Sequence, residues 1–192
     1  MNDYEKECAI ACSAQYKQTE DIDVFEHSCG KTMIVIEGSD TWRNWYRNMD
    51  IRTTNKGAHR GFWKYAEWCV EHYQLRDVFR DNHEIIITGH SLGAAAAIMI
   101  TYMLRIYKIN VHLVLFGCPR VGTITFRKHF KKMTPMKCSS FQNAGDLVPC
   151  MPIRSFVHIH EMKIIYTNMN IKHKNKTDCL WLRRHSARVY AR

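Results

Sequence analysis

The chain has 192 residues, of which 46% are hydrophobic, and its 28 Lys and Arg residues against 18 Asp and Glu residues give a formal net charge of +10. This length and composition predict one domain over residues 1–192 with a hydrophobic core of its own. The longest apolar stretch, Leu92 to Leu104, is too short to cross a bilayer, so no transmembrane segment is predicted. The first residues lack the features of a secretory signal, and we expect a cytoplasmic or peripherally membrane-associated protein.

The cysteines give little indication of disulfides or of a metal site. Eight cysteines are spread along the chain rather than grouped as in a small disulfide scaffold, so we expect reduced thiols. Cys8 and Cys12 are one helical turn apart and Cys29 follows His27, but no matched second pair completes a zinc-ligand spacing. We therefore expect no metal.

The first predicted elements are a helix and a buried strand. The helix is predicted over Asp3–Tyr16, and a polar connection separates it from a strand over Lys31–Glu37. The strand ends at Gly38-Ser39-Asp40, which is typical of a turn followed by a helix start. A loop and a long helix over Lys64–Phe79 come next.

The segment from Glu84 to Ile100 carries the strongest chemical signal in the chain. A run of β-branched residues predicts a buried strand, and the alanine run after Gly93 predicts a helix. Gly89-His90-Ser91-Leu92-Gly93 then lies on the turn between them, as in the Gly-x-Ser-x-Gly turns that lift a nucleophilic serine above a sheet. The amide of Leu92, at the helix start, is placed to face a developing oxyanion. This pattern favours acyl transfer at Ser91.

Strands and helices continue to alternate to the end of the chain. The sequence predicts strands over Val111–Gly117, Lys137–Asn143 and Phe156–Tyr166, a basic helix that carries Phe126 and Phe130, and a short terminal helix. The alternation predicts an α/β fold in which helices cover both faces of a mostly parallel central sheet.

Taken in order, six motifs resemble those of the class 3 lipases, a family of fungal triacylglycerol lipases and feruloyl esterases with the α/β-hydrolase fold. They are Val35-Ile36-Glu37-Gly38-Ser39, Trp42-Arg43-Asn44-Trp45, His59-Arg60-Gly61-Phe62, Thr88-Gly89-His90-Ser91-Leu92-Gly93, Phe116-Gly117-Cys118-Pro119-Arg120-Val121-Gly122 and Asp146-Leu147-Val148-Pro149. The resemblance runs from about Met33 to the C-terminus. It implies an α/β-hydrolase fold and hydrolysis of carboxylic ester bonds of lipids through an acyl-serine intermediate, without a cofactor.

The resemblance also implies the roles of individual residues. Ser91 is the implied nucleophile, His185 its base, and Asp146 the carboxylate that orients the histidine. The hydroxyl and amide of Ser39 and the amide of Leu92 are the implied oxyanion hole.

The choice of histidine depends on the order of the residues. Four histidines follow the implied acid: His158, His160, His173 and His185. His185 is preferred because it lies near the end of the chain and is followed by Tyr190, as the family's last histidine is followed by a tyrosine. We expect His158 to lie in the core and His90 to pack within the turn that carries Ser91.

The short span between Trp42 and His59 falls where lipases of this family have a lid helix. Trp42, Trp45 and Tyr46 recur at helical spacing and form either a small amphipathic lid or part of the core.

Basic residues cluster in Arg127–Lys132, Lys172–Lys176 and Arg183–Arg192. Such a field attracts anionic surfaces, so we expect a lipid substrate at an anionic membrane; the alternative is a solvated surface without a specific partner. The charge is not accompanied by a nucleic-acid-binding motif, and no specific nucleic acid is expected.

Two alternative functions stay open from the sequence. A soluble carboxylesterase without interfacial activation fits the short lid region. The second alternative is a catalytically silent protein that binds membranes. It stays open because Glu37 replaces the arginine that most relatives carry before the glycine at position 38.

Overall fold

A computed structural model describes residues 1–15, 21–38, 50–132, 136–153, 155–166 and 185–191. Six strands form one sheet whose spatial order follows the sequence. They are β1 (Ile22–Glu26), β2 (Thr32–Ile36), β3 (Glu84–His90), β4 (Asn110–Phe116), β5 (Met136–Asn143) and β6 (Lys163–Ile165). β1 is antiparallel to β2, and every other neighbouring pair is parallel. The mostly parallel sheet expected from the sequence is therefore confirmed.

Helices cover both faces of this sheet. They are α1 (Asp3–Gln15), α2 (Arg60–His72), α3 (Leu75–Asp81), α4 (Leu92–Met103), α5 (Ile124–Lys131) and α6 (Ala187–Tyr190). Successive side chains of a strand point to opposite faces. Ile34 and Ile36 of β2 pack in the core with α2, α4 and α5, whereas Met33 and Val35 pack in a second cluster with α1 and Tyr190. The sheet thus has a hydrophobic cluster on each face, and the predicted cover of helices on both faces is confirmed.

α4 is buried around almost its whole circumference, from Leu92 to Tyr102. Its alanines have small side chains, which allow the helix to lie close to the sheet. At Gly93 an added Cβ would lie 2.2 Å from the carbonyl oxygen of Ile36 and 2.7 Å from that of Glu37. The start of α4 is therefore held against the end of β2 at a separation that only glycine permits.

Three expectations about elements were wrong. The polar connection contains β1, an edge strand in which only Ile22 is buried, so its sequence lacks a strong apolar pattern. The helix predicted over Lys64–Phe79 begins at Arg60 and is interrupted by Gln74, whose φ of 49° is left-handed. The strand predicted over Phe156–Tyr166 shortens to β6.

The residues at the start of the segment predicted as a strand over Phe156–Tyr166 do not pair with β5. The backbone N–H of Val157 donates to the carbonyl oxygen of Gly122, and Nε2 of His158 lies 2.7 Å from the carbonyl oxygen of Pro149. His158 is half-buried at this position, beside the core rather than deep within it. These contacts replace the ladder that the sequence pattern predicted.

None of the helices in the described ranges is long and apolar enough to span a membrane.

The burial of His59 is expected to make the stability of the fold depend on pH. Its ring is fully buried, with centroids 4.3 Å from the Phe62 ring and 4.9 Å from the Phe156 ring. Burial lowers the pKa of His59 from 6.5 to about 4. Between these two pH values the unfolded chain takes up a proton that the folded chain excludes, so stability falls as the pH decreases from 6.5 towards 4.

We expect His59→Leu to remove this part of the pH dependence. The wild type should lose about 3 kcal/mol more unfolding free energy than the variant between pH 6.5 and pH 4, since one pKa unit corresponds to about 1.4 kcal/mol. Urea unfolding at a series of pH values measures the difference. Identical pH slopes for the two proteins would contradict the assignment.

Candidate active site

Ser91 lies at the turn between β3 and α4 in a conformation that few residues adopt. Its φ of 58° and ψ of −117° are outside the ordinary regions, and its backbone N–H donates to the carbonyl oxygen of Phe116 at 3.0 Å. A Cβ at Gly89 would lie 2.5 Å from the carbonyl carbon of Gly93, so the two arms of the turn touch. This sharp strand-to-helix turn is the geometry expected of a nucleophile elbow.

His185 connects the hydroxyl of Ser91 to the carboxylate of Asp146. Nε2 of His185 lies 2.8 Å from Oγ of Ser91, and Nδ1 lies 2.8 Å from Oδ2 of Asp146. All three residues are buried. With the proton on Nδ1, the imidazole donates to Asp146 and accepts from the serine hydroxyl, which is the tautomer that a general base requires.

Asp146 is held by hydrogen bonds to both of its carboxylate oxygens. Oδ1 accepts from the backbone N–H of Val148 at 3.0 Å, and Oδ2 accepts from the hydroxyl of Tyr190 at 3.1 Å. The hydroxyl oxygen of Tyr190 in turn accepts from the backbone N–H of Asn143 at 3.0 Å. Burial, followed by the neighbouring Asp146, raises the pKa of Tyr190 well above its ordinary value, so the phenol keeps its proton and remains a donor.

Two residues beside His185 restrict its ring. Gly117 follows β4 with a φ of 57°, and an added Cβ would lie 3.0 Å from Cε1 of His185 and 3.2 Å from Oδ2 of Asp146. The ring of His90 packs on the ring of His185 with centroids 4.5 Å apart, which confirms the packing role expected for His90. Burial, followed by the nearby His185, lowers the pKa of His90 well below its ordinary value, so His90 is uncharged there.

These positioning contacts could not be assigned from the sequence. Gly117 was recognised as part of a motif and Tyr190 as a residue that follows the last histidine, but no contact was predicted for either. The sequence offered two signals for them. Gly117 lies at the end of a predicted strand, and Tyr190 lies five residues after His185.

The structure separates the candidate histidines. His158 contacts Pro149, and the ring of His160 packs edge-on against Phe130 at 5.7 Å. His185 contacts both Ser91 and Asp146, whereas His173 lies outside the described residues.

Several other predicted site residues also lie outside the described ranges. They are Ser39, Trp42, Trp45, Tyr46 and the run Lys172–Lys176. Leu92 is described and is the first residue of α4, where backbone N–H groups have no acceptor within the helix. The oxyanion hole and the lid therefore stay predictions. Within the part of the chain that is described, the His, Cys, Asp and Glu side chains do not form a group of three or more suited to a metal ion.

The chain resembles lipases in both sequence and structure. The family model described as Lipase (class 3) matches residues 33–156. The secreted mono- and diacylglycerol lipase A of Penicillium cyclopium is 28% identical over 148 residues, which cover 70% of this chain and 47% of that protein. Phospholipase A1-II 4 of Oryza sativa is 32% identical over 93 residues, which cover 45% of this chain and 24% of that protein. The chain thus spans about half the length, or less, of these curated relatives.

Among solved structures, a Rhizomucor miehei lipase propeptide complex superimposes with a TM-score of 0.66 and 22% identity, covering 86% of this chain and 65% of that one. At this identity the likeness concerns the fold, and it confirms the predicted α/β-hydrolase fold. The family match includes the turn at Ser91 and the loop at Asp146 and extends over more than half of the sequence. The chain belongs to the class 3 lipase family.

Proposed function

We propose that this protein is a serine lipase or esterase that hydrolyses carboxylic ester bonds of acylglycerols or phospholipids. The observation that carries the proposal is the hydrogen-bonded series from Ser91 through His185 to Asp146, with 2.8 Å at each of the two contacts of the histidine. Membership of the class 3 lipases supports lipid esters as the substrates. One relative is named a mono- and diacylglycerol lipase and another a phospholipase A1, which supports both lipid classes.

The first half of the reaction forms an acyl-enzyme. Nε2 of His185 takes the hydroxyl proton while Oγ of Ser91 bonds to the ester carbonyl carbon, and the carbonyl oxygen becomes an oxyanion. Asp146 stabilises the imidazolium that results. The backbone N–H of Leu92 and the predicted donors of Ser39 stabilise the oxyanion. When the intermediate collapses, the ester C–O bond breaks and the leaving alcohol takes the proton from His185.

The second half releases the fatty acid. A water molecule gives a proton to His185 and its oxygen attacks the acyl carbon. The C–O bond to Ser91 then breaks, and the serine oxygen recovers its proton from the histidine. No step requires a cofactor.

The net charge of +10 supports an anionic membrane surface as the place where the protein meets its substrate. This is the peripheral association expected from the sequence.

Fatty-acid release from monoacylglycerol, diacylglycerol and phosphatidylcholine tests the proposal, with a short-chain ester measured below and above its micelle concentration. A lipase releases fatty acid and turns over the aggregated ester faster than the dissolved one. Equal turnover of both forms would identify the soluble carboxylesterase, and the absence of hydrolysis from every substrate would contradict the proposal.

Tyr190→Phe is expected to lower kcat about tenfold, because Asp146 loses a hydrogen bond worth about 1.5 kcal/mol or more. The effect should fall on kcat rather than KM, since Tyr190 acts through Asp146 and does not reach the substrate. Tyr166→Phe, at a tyrosine that is 83% exposed, is the matched control and should behave like the wild type. An unchanged kcat for Tyr190→Phe would show that the phenol does not position the carboxylate.

A further inference from the structure

A cleft lies between α5, the loop after β4 and the segment before β6. It has a volume of about 500 Å³, and its lining combines basic and apolar side chains. Arg120 comes from the loop after β4, Arg127 and Lys131 from successive turns of α5, and Phe156 and Ile159 from the segment before β6. None of these residues takes part in the series from Ser91 to Asp146.

Among its described lining residues, the cleft has more basic than acidic side chains. Arg120, Arg127 and Lys131 make no ion pair within the described part of the chain, and Glu161 is the acidic residue among the lining residues described. The pKa values of two histidines respond to this positive charge. Burial lowers the pKa of His158 and of His160, and the nearby Arg120 and Lys131 respectively lower these pKa values further. The cleft therefore concentrates positive charge that an anion would balance.

The loop over residues 147–153 joins this cleft to Asp146. The backbone N–H of Arg120 donates to the carbonyl oxygen of Met151 at 2.7 Å, and His158 contacts the carbonyl oxygen of Pro149. The same loop exposes two aliphatic side chains, Leu147 at 51% and Ile153 at 70%. A cationic cleft in contact with a loop that exposes aliphatic side chains matches a bilayer surface, in which anionic head groups lie above acyl chains.

We propose that the cleft formed by Arg120, Arg127 and Lys131 binds the phosphate of an anionic phospholipid head group, and so holds the active-site edge of the sheet against the membrane. The choice of a lipid surface rests on the proposed function. Exposed Leu147 and Ile153 favour a bilayer over a nucleic acid, which offers charge without an apolar layer.

The test measures binding to vesicles that the enzyme cannot digest. Vesicles of diether phosphatidylcholine, alone or mixed with diether phosphatidylglycerol, contain no carboxylic ester, so binding is read independently of hydrolysis. Arg127→Gln/Lys131→Gln should weaken cosedimentation with the mixed vesicles about 30-fold, from about 1 kcal/mol for each cation. Thermal unfolding of the variant verifies its fold.

Lys108→Gln/Lys137→Gln is the matched control, because it also removes two positive charges. Lys108 precedes β4 and Lys137 is the second residue of β5, so both lie at the amino ends of the parallel strands. Neither lysine lines the cleft. This variant should bind the mixed vesicles as the wild type does.

Equal losses of vesicle binding in the two double variants would overturn the proposal in favour of general charge attraction. The proposal that the cleft binds a lipid head group would also be overturned if the protein bound no vesicles but bound inorganic phosphate or an RNA oligonucleotide through Arg127 and Lys131. Ile153→Ser tests the apolar part of the surface, and it should weaken vesicle binding and leave RNA binding unchanged.

If the protein hydrolyses esters but its vesicle binding does not depend on the cleft, the proposed function stands and this inference fails.

Discussion

Ser91→Ala is expected to lower kcat for ester hydrolysis by at least about 10⁴-fold, because the variant has no oxygen to form the acyl-enzyme. The fold should persist, since alanine occupies the same space at the turn. Ser155→Ala, at an exposed serine outside the site, is the matched control and should retain full activity. Fatty-acid release at saturating substrate measures the effect.

A double variant strengthens this test. If Ser91 and His185 act as a unit, Ser91→Ala/His185→Ala should be no slower than Ser91→Ala alone, because the effects of such residues are not additive. A kcat for Ser91→Ala within about tenfold of the wild type would contradict the assignment of the nucleophile.

Gly93→Ala is expected to have the largest effect on stability, about 3 kcal/mol or more of unfolding free energy. The added methyl group would lie 2.2 Å from the carbonyl oxygen of Ile36, and because the oxygen is part of the backbone it cannot turn aside. Either α4 or the end of β2 must move. Activity should fall as well, since the same turn carries Ser91.

Gly30→Ala is the control for this substitution. A Cβ at Gly30 meets no atom within 4 Å, so only the cost of its φ of 73° applies, about 1 kcal/mol. Urea unfolding compares the two variants. A Gly93→Ala variant no less stable than Gly30→Ala would show that the approach of α4 to β2 is not a close packing contact.

The site could be predicted from the sequence as far as its chemistry depends on local patterns. The strand, the turn and the helix around Ser91 adjoin in the chain, so periodicity and two glycines were sufficient to place the serine. Asp146 was assigned from the resemblance, and it lies in the exit loop of the predicted strand that ends at Asn143. His185 was chosen by its order in the chain, and its contact with Ser91 across 94 positions became visible only in the structure.

What the sequence did not predict depends on tertiary contacts. β1 pairs at the sheet edge with mostly exposed side chains, so its pattern resembles that of a loop. The hydroxyl of Tyr190 reaches Asp146 only because α6 packs beside the end of β5. Glycine is needed at position 117 because of its positive φ and because of two side chains that are distant in sequence. A single domain over residues 1–192 stays a prediction, as do the lid at Trp42, Trp45 and Tyr46 and the oxyanion hole at Ser39 and Leu92.

Covalent labelling with a fluorophosphonate probe, read by peptide mass spectrometry, tests the central claim most directly. The probe reacts with a serine whose hydroxyl is activated by a neighbouring base. We predict one adduct, on the peptide that contains Ser91, which disappears in Ser91→Ala and falls sharply in His185→Ala. No adduct on the wild type in buffer or with lipid vesicles, or an adduct on another serine, would contradict the account.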